Sequence, residues 1–126
     1  LYALTEELIE RVVIMCTGPH APLWTLSGGN QQRAVLAREM TSNPKVLVAS
    51  QPTRGLDVGA IEYMAGQLRQ AADDGVGVLL ISSELDEIFE LADRIVVIFR
   101  GQITGEMTRA TATREKVGRL MGGDLL

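Results

Sequence analysis

Apolar side chains return along this chain in two alternating rhythms. Leu4, Leu8, Ile9, Val12, Val13 and Met15 fall close to helical spacing until Thr17-Gly18-Pro19 breaks the pattern, so a helix and then an irregular stretch are expected. Ser27 offers a cap to a second helix that opens at Gly28-Gly29-Asn30, runs through Val35, Leu36 and Met40, and closes before Asn43-Pro44. Pro44 disfavours a helical Asn43. Val46-Leu47-Val48-Ala49 is short, apolar on both faces and bounded by turn residues, as a strand buried in a parallel sheet would be. Behind a cap at Asp57, Ile61, Met64, Ala65, Leu68 and Ala72 recur at intervals of three and four, and Gly75 stops that helix.

Val76 to Ile81 predicts a second two-sided strand. Leu85, Ile88, Phe89 and Ala92 then return to helical spacing, with Ser83 and Asp86 placed to form a capping box. Ile95 to Phe99 predicts a third strand, turned by Arg100-Gly101 into a weaker one over Gln102 to Met107, a hairpin that closes the sheet. Thr113 to Met121 predicts a last short helix ending at Gly122-Gly123. Strands alternating with helices, each strand apolar on both faces, predict an α/β three-layer fold with a mainly parallel sheet.

The 126 residues, 46% hydrophobic and 22% charged, suffice for one modest core, hence one domain or part of one. A net charge of −4 gives no broad electrostatic footprint for nucleic acid or anionic lipid. Cys16 has no partner for an internal disulfide, and with His20 as the lone histidine no metal cluster can form, which fits a reducing compartment. The longest apolar runs fall far below the ~20 residues of a membrane helix, and no signal peptide is expected. The chain opens on Leu1 inside a helical pattern without an initiator Met, and so reads as a piece of something longer.

Chemistry concentrates at Leu26-Ser27-Gly28-Gly29-Asn30-Gln31-Gln32. Small residues at a helix N-terminus let backbone N–H groups approach a phosphate, with the positive end of the dipole and the Ser27 hydroxyl aimed at the same anion. Taken alone, Ser27 reads first as an N-cap and the glycines as a flexible turn, and only the context reverses that preference. Its context is Val46 to Gln51, then Pro52-Thr53-Arg54-Gly55-Leu56-Asp57, then Ile81-Ser82-Ser83-Glu84-Leu85.

With these segments in that order, the chain resembles the nucleotide-binding domain of ATP-binding cassette transporters over nearly all its length. Leu26 to Gln32 resembles the family's signature motif, Val46 to Gln51 its Walker B strand and Gly55-Leu56-Asp57 its D-loop. Asn30-Gln31-Gln32, the run Pro52 to Ala60 and Ala92-Asp93-Arg94-Ile95 are similar to the sugar and nucleoside importers whose ATPase carries two fused cassettes, at the end of the second. The resemblance implies a partial P-loop NTPase fold with a remnant of the helical subdomain. Residues 1–43 would end that subdomain, 44–110 would belong to the catalytic sheet, and 111–126 would form a terminal helix and tail.

Three positions depart from the family pattern. Ser50 stands where a magnesium-organising Asp is expected, Gln51 where a Glu polarises the attacking water, and Ser83 where a switch His meets the γ-phosphate. Gln can orient a water but cannot take its proton. In the family each ATP lies between the Walker motifs of one cassette and the signature of the other. The resemblance therefore implies that Ser27, Gly28, Gly29, Asn30 and Gln31 serve the partner's ATP in trans and Asp57 the cassette interface, while this half's own site hydrolyses slowly or not at all. The loop Gly-x-x-x-x-Gly-Lys-Ser/Thr occurs nowhere in the chain, so the segment alone is expected to bind ATP poorly and hydrolyse none.

The remaining singular residues have plainer readings. His20 is expected at the surface, Cys16 as a small buried hydrophobe, Trp24 as packing for the helical part, and Glu84, Asp86, Glu87 and Glu90 as a solvated helix face. The resemblance implies ATP and Mg2+ as cofactors in the full-length assembly. It implies as partners the first cassette of the same parent chain, membrane permease subunits and, indirectly, a periplasmic or extracellular substrate-binding protein, with no nucleic acid. The expected location is the cytoplasmic face of the membrane, peripherally bound. Two alternatives stay open: an ATPase clamp of the chromosome-maintenance or repair type, opposed by the lack of sustained heptads in residues 1–25, and a structural pseudo-cassette without turnover.

Overall fold

The computed structural model describes residues 2–125 and divides into two compact units, Leu1–Ile81 and Ser82–Leu126. The first holds α1 (Tyr2–Arg11), a 3-10 turn (Leu23–Thr25), α2 (Gly28–Thr41), β1 (Val46–Ser50), α3 (Val58–Asp73) and β2 (Gly77–Ile81). The second holds α4 (Leu85–Leu91), β3 (Arg94–Phe99), β4 (Gln102–Thr108) and α5 (Arg114–Met121). The class is mixed α/β, as the alternating periodicities predict.

In the first unit β1 and β2 pair in parallel, Val46 opposite Gly77 through Ser50 opposite Ile81. The crossover between them is α3, which packs against β2 and against α2. Its buried stripe is Ala60, Met64, Ala65, Leu68 and Ala71, so the helix is rotated slightly from its expected phase, with Ile61 and Ala72 turned outward. Asp57 caps α3 as anticipated, its Oδ1 accepting the Ala60 N–H at 2.8 Å.

The two-sided burial expected of the strands is not met. Leu47 is buried, but on the opposite face Val46 and Val48 are 65% and 58% exposed, and their neighbours Leu79 and Ile81 are 55% and 46% exposed. Side chains alternate across a strand, so helices on one side can bury only every second position. Among the described residues of this unit nothing lies over the other face.

In the second unit, β3 and β4 form an antiparallel ladder of their own rather than extending the parallel pair. Arg100 and Gly101 both take positive φ, 49° and 80°, the signature of a two-residue turn whose twist matches the strands it joins. Ile95, Val97, Met107, Ala112, Val117 and Leu120 make the core, with Leu85, Ile88, Phe89 and Ala92 packed against it. Thr113 caps α5 through the Lys116 N–H. At its other end Arg119 Nε donates to Asp124 at 2.9 Å, a hydrogen bond that raises the guanidinium above its ordinary value.

Several local expectations change here. The capping box shifts, because α4 begins at Leu85 behind an N-cap Glu84 whose side chain makes no cap bond, and Ser82 Oγ accepts the Glu84 N–H instead. Glu87 is 8% exposed and belongs to the packed side of α4 rather than to a solvated face. Trp24 is 82% exposed and does not pack the helical part, and Cys16 is only half-buried. His20 is at the surface as expected, its ring 4.5 Å from that of Tyr2.

A buried hydroxyl ties the second unit together. Thr104 Oγ1 donates to the Leu120 carbonyl at 3.0 Å and lies 3.4 Å from that of Val97, joining β4 to the end of α5. Thr104→Val keeps the shape but removes the side-chain tie from β4 to the Leu120 carbonyl, which keeps the Gly123 N–H, and is expected to cost about 1 kcal/mol in urea unfolding, whereas Thr104→Ser retains most of that stability.

Candidate functional site

The Leu26–Gln32 motif folds as its residue types require. Ser27 is extended (φ −62°, ψ 160°) and caps α2, its Oγ accepting from the Asn30 backbone N–H at 3.3 Å and from the Asn30 side-chain amide at 2.9 Å. Both contacts use the oxygen, so the hydroxyl hydrogen stays available to an outside acceptor. Gly28 and Gly29 follow in the first turn, where backbone N–H groups have no intrahelical acceptor and the helix dipole is positive. Ser27 and Gly28 are exposed and Gly29 is half-buried, which leaves a cluster of donors facing solvent.

Polar side chains brace this end. Asn30 Oδ1 accepts the Met15 N–H at 2.9 Å and Gln31 Nε2 donates to the Leu26 carbonyl at 3.1 Å. Arg33 reaches the carbonyls of Val12 and Val13 at 3.4 and 3.1 Å while its guanidinium lies 3.9 Å from the centre of the Tyr63 ring on α3. Val13 has φ 53°, a left-handed conformation costly for a β-branched residue, and the Arg33 bond falls on the carbonyl of that strained residue. Sequence reasoning passed over Arg33 and Tyr63. The one available signal was an aromatic residue on the next helix, positioned to stack with an arginine.

The second motif lies on the loop leaving β1. Ser50 ends the strand with an exposed side chain, and Gln51 has φ 48° while its N–H donates to the Ile81 carbonyl at 2.7 Å, ending the parallel ladder. Pro52 and Thr53 are buried, Gly55 turns with φ 73°, and Asp57 caps α3. The fold brings this loop to the glycine end of α2. A Cβ on Gly28 would lie 3.5 Å from Leu56, one on Gly29 would lie 2.9 Å from the Ala60 Cβ, and Gln32 Nε2 donates to the Pro52 carbonyl at 2.9 Å. Ser27, Gly28, Gly29, Asn30, Gln31, Ser50, Gln51 and Asp57 therefore share one unit, whereas Ser83 belongs to the other.

A scan against protein-family models finds no match. Among curated proteins the chain is 52% identical over 118 residues to the nucleoside import ATP-binding protein NupA of Lactococcus lactis, covering 94% of this chain and 23% of that one. It is 44% identical over 123 residues to the guanosine import ATP-binding protein NupO of Bacillus subtilis and 40% identical over 123 residues to a ribose import ATP-binding protein of Caldanaerobacter subterraneus. Among solved structures, the dimeric post-hydrolysis ATP-binding cassette MJ0796 bound to ADP and Pi matches with a TM-score of 0.70 and 26% identity, over 82% of this chain and 44% of that one. The fold is that of part of an ATP-binding cassette. The cassette segment described here spans about a quarter of the length of those curated relatives. A cassette of an ABC transporter in its ADP conformation, 22% identical with a TM-score of 0.70, shows the same fold.

Arg33 joins α2 to the end of α1 and to α3 at once. Arg33→Ala is expected to lower stability by about 1–2 kcal/mol in urea unfolding, and Arg33→Lys to recover less than half of it, because an ammonium lacks the planar stacking face and the fork of donors.

Proposed function

We propose that this segment is part of the second cassette of an importer ATPase, coupling ATP binding and hydrolysis to uptake of a sugar or nucleoside. The observation that carries the reading is the intact glycine end of α2, with its Ser27 hydroxyl hydrogen and first-turn N–H groups turned to solvent. The relatives at 40–52% identity are import ATP-binding proteins for nucleosides and ribose, and the uncovered face of β1 and β2 is one that further chain of a larger cassette would cover. Membrane permease subunits and a substrate-binding protein are the implied partners, and the segment works peripherally at the membrane. None of the described helices is long and apolar enough to cross one.

The two ends of the site suit nucleotide differently. At the glycine end, Ser27, Gly28 and Gly29 fit a phosphate, since they offer donors, a positive dipole end and no side chain beyond the hydroxyl. A nucleotide held there supplies the phosphoryl group, while this chain supplies orientation and charge stabilisation. At the end of β1 the residues do not fit a magnesium ion with its base. Ser50 and Gln51 offer neutral oxygens, whereas a hard cation favours carboxylate and proton removal from water needs a basic group. The glycine end thus serves the nucleotide of a partner cassette, the first cassette of the same parent chain, and this half's own strand end is impaired. The dimeric state of the related cassette MJ0796 agrees with such pairing.

Two substitutions in the full-length chain test this division. Ser27→Arg puts a long cation into the donor cluster, and turnover is expected to fall at least about a hundredfold, as when a preorganised donor is lost. Ser50→Asp combined with Gln51→Glu restores the carboxylates, and turnover is expected to rise. Unchanged phosphate release in the first variant contradicts the reading.

A further inference from the structure

The glycines of α2 face two ways. A phosphate needs them small on the solvent side, but the tightest restriction lies inside the chain. A Cβ on Gly29 would come 2.9 Å from the Ala60 Cβ, closer than packed carbons approach, while one on Gly28 would meet Leu56 at an ordinary 3.5 Å. One turn further along α2, Gln32 Nε2 donates to the carbonyl of buried Pro52 at 2.9 Å. Ala60 is 7% exposed and its own N–H is held by Asp57. The first turns of α2 and α3 therefore meet so closely at Gly29 and Ala60 that a side chain at position 29 would force them apart, and Gln32 ties the same end of α2 to the loop from Gln51 to Asp57.

We propose that Gly29 and Gln32 are positioning residues that fix the Ser27–Gly28 donors in register with the Gln51–Asp57 loop of the same chain. The inference rests on the reading that the glycine end serves a partner's nucleotide, and adds that its aim is set from behind, by the loop that leaves this chain's own β1. Gly29 is then required for packing in cis, independently of any contact with phosphate. The junction also gives a route by which the state of the Gln51 loop reaches the donors that face the neighbouring site, because Gln32 and Pro52 belong to one and the other.

A compensating pair tests it. Gly29→Ala introduces the clash and Ala60→Gly removes the methyl group it meets, so the double variant regains the space without restoring the glycine. Amide hydrogen exchange on the 126-residue chain reads the junction without nucleotide. Gly29→Ala is expected to speed exchange at both 28–31 and 56–61 by about tenfold, and the double variant to return both segments close to the parent rate. Gln32→Glu, which replaces the donor by an acceptor of equal size, is expected to speed exchange in both segments as well.

In the full-length chain, ATP turnover is expected to drop in Gly29→Ala and to recover to within about threefold of the parent in the double variant, chiefly in kcat. Ser27→Arg measured alongside separates the two claims. If Ser27→Arg blocks turnover and the double variant stays as slow as Gly29→Ala, the glycine is needed for the nucleotide itself and the proposal falls while the reading stands. If Ser27→Arg has no effect the reading falls, and the exchange data still decide the junction. Unchanged exchange at 56–61 in Gly29→Ala overturns the proposal in every case.

Discussion

The first unit depends on how closely α2 can approach α3. Two helices meet at their N-terminal turns, where Gly29 lies against Ala60, and each start is fixed by its own cap, Ser27 on one and Asp57 on the other. Everything chemically suggestive in that unit follows from this contact. The Leu26–Gln32 motif and the loop leaving β1 are separated by about twenty residues of sequence, yet the contact makes them neighbours. A larger side chain at Gly29 would hold the helices apart and carry the donors of α2 away from the loop. The braces from Asn30 to Met15 and from Arg33 to Val13 and Tyr63 act on the same helix, so its N-terminal end is held from both flanking segments.

The strand pair shows the complementary constraint. Val46, Val48, Leu79 and Ile81 present a continuous apolar face where β1 and β2 run side by side, while α3 covers β2 from the other side. Strands of this composition are written for burial on both faces, and here they receive it on one. The end of β1 is defined just as sharply. Gln51 takes a left-handed backbone, and its N–H closes the ladder on Ile81. A residue in that conformation aims its side chain away from the line of the strand, so the chemical character of position 51 is set by the turn as much as by the side chain. With Ser50 and Gln51 neutral, the strand end offers a hydroxyl and an amide but no carboxylate.

Much of this was legible in the sequence, for identifiable reasons. The α2 and α3 starts could be read because Ser27 and Asp57 are strong caps directly ahead of periodic apolar residues, and the β3–β4 turn because Arg100-Gly101 separates two strand-like runs. The order of motifs pointed to a cassette, and the fold agrees. What could not be read were interactions that depend on three-dimensional approach. Nothing local distinguishes Gln32 from Gln31, yet one reaches Pro52 and the other folds back on Leu26. Trp24 is apolar and expected to pack, but it follows Pro22 in a short 3-10 turn that leaves it exposed. Glu87 is indistinguishable in sequence from its acidic neighbours, yet it lies on the packed side of α4.

In the proposed arrangement this segment lends a donor cluster to a nucleotide held elsewhere and has no complete phosphate site of its own. Calorimetric titration with MgATP tests it most directly, on the 126-residue chain and on the full-length chain in identical buffer. No saturable heat is expected from the segment, and clear binding from the full-length chain. Saturable binding by the segment alone would contradict it, since the chain would then contain a complete phosphate cradle without any Gly-x-x-x-x-Gly-Lys-Ser/Thr loop.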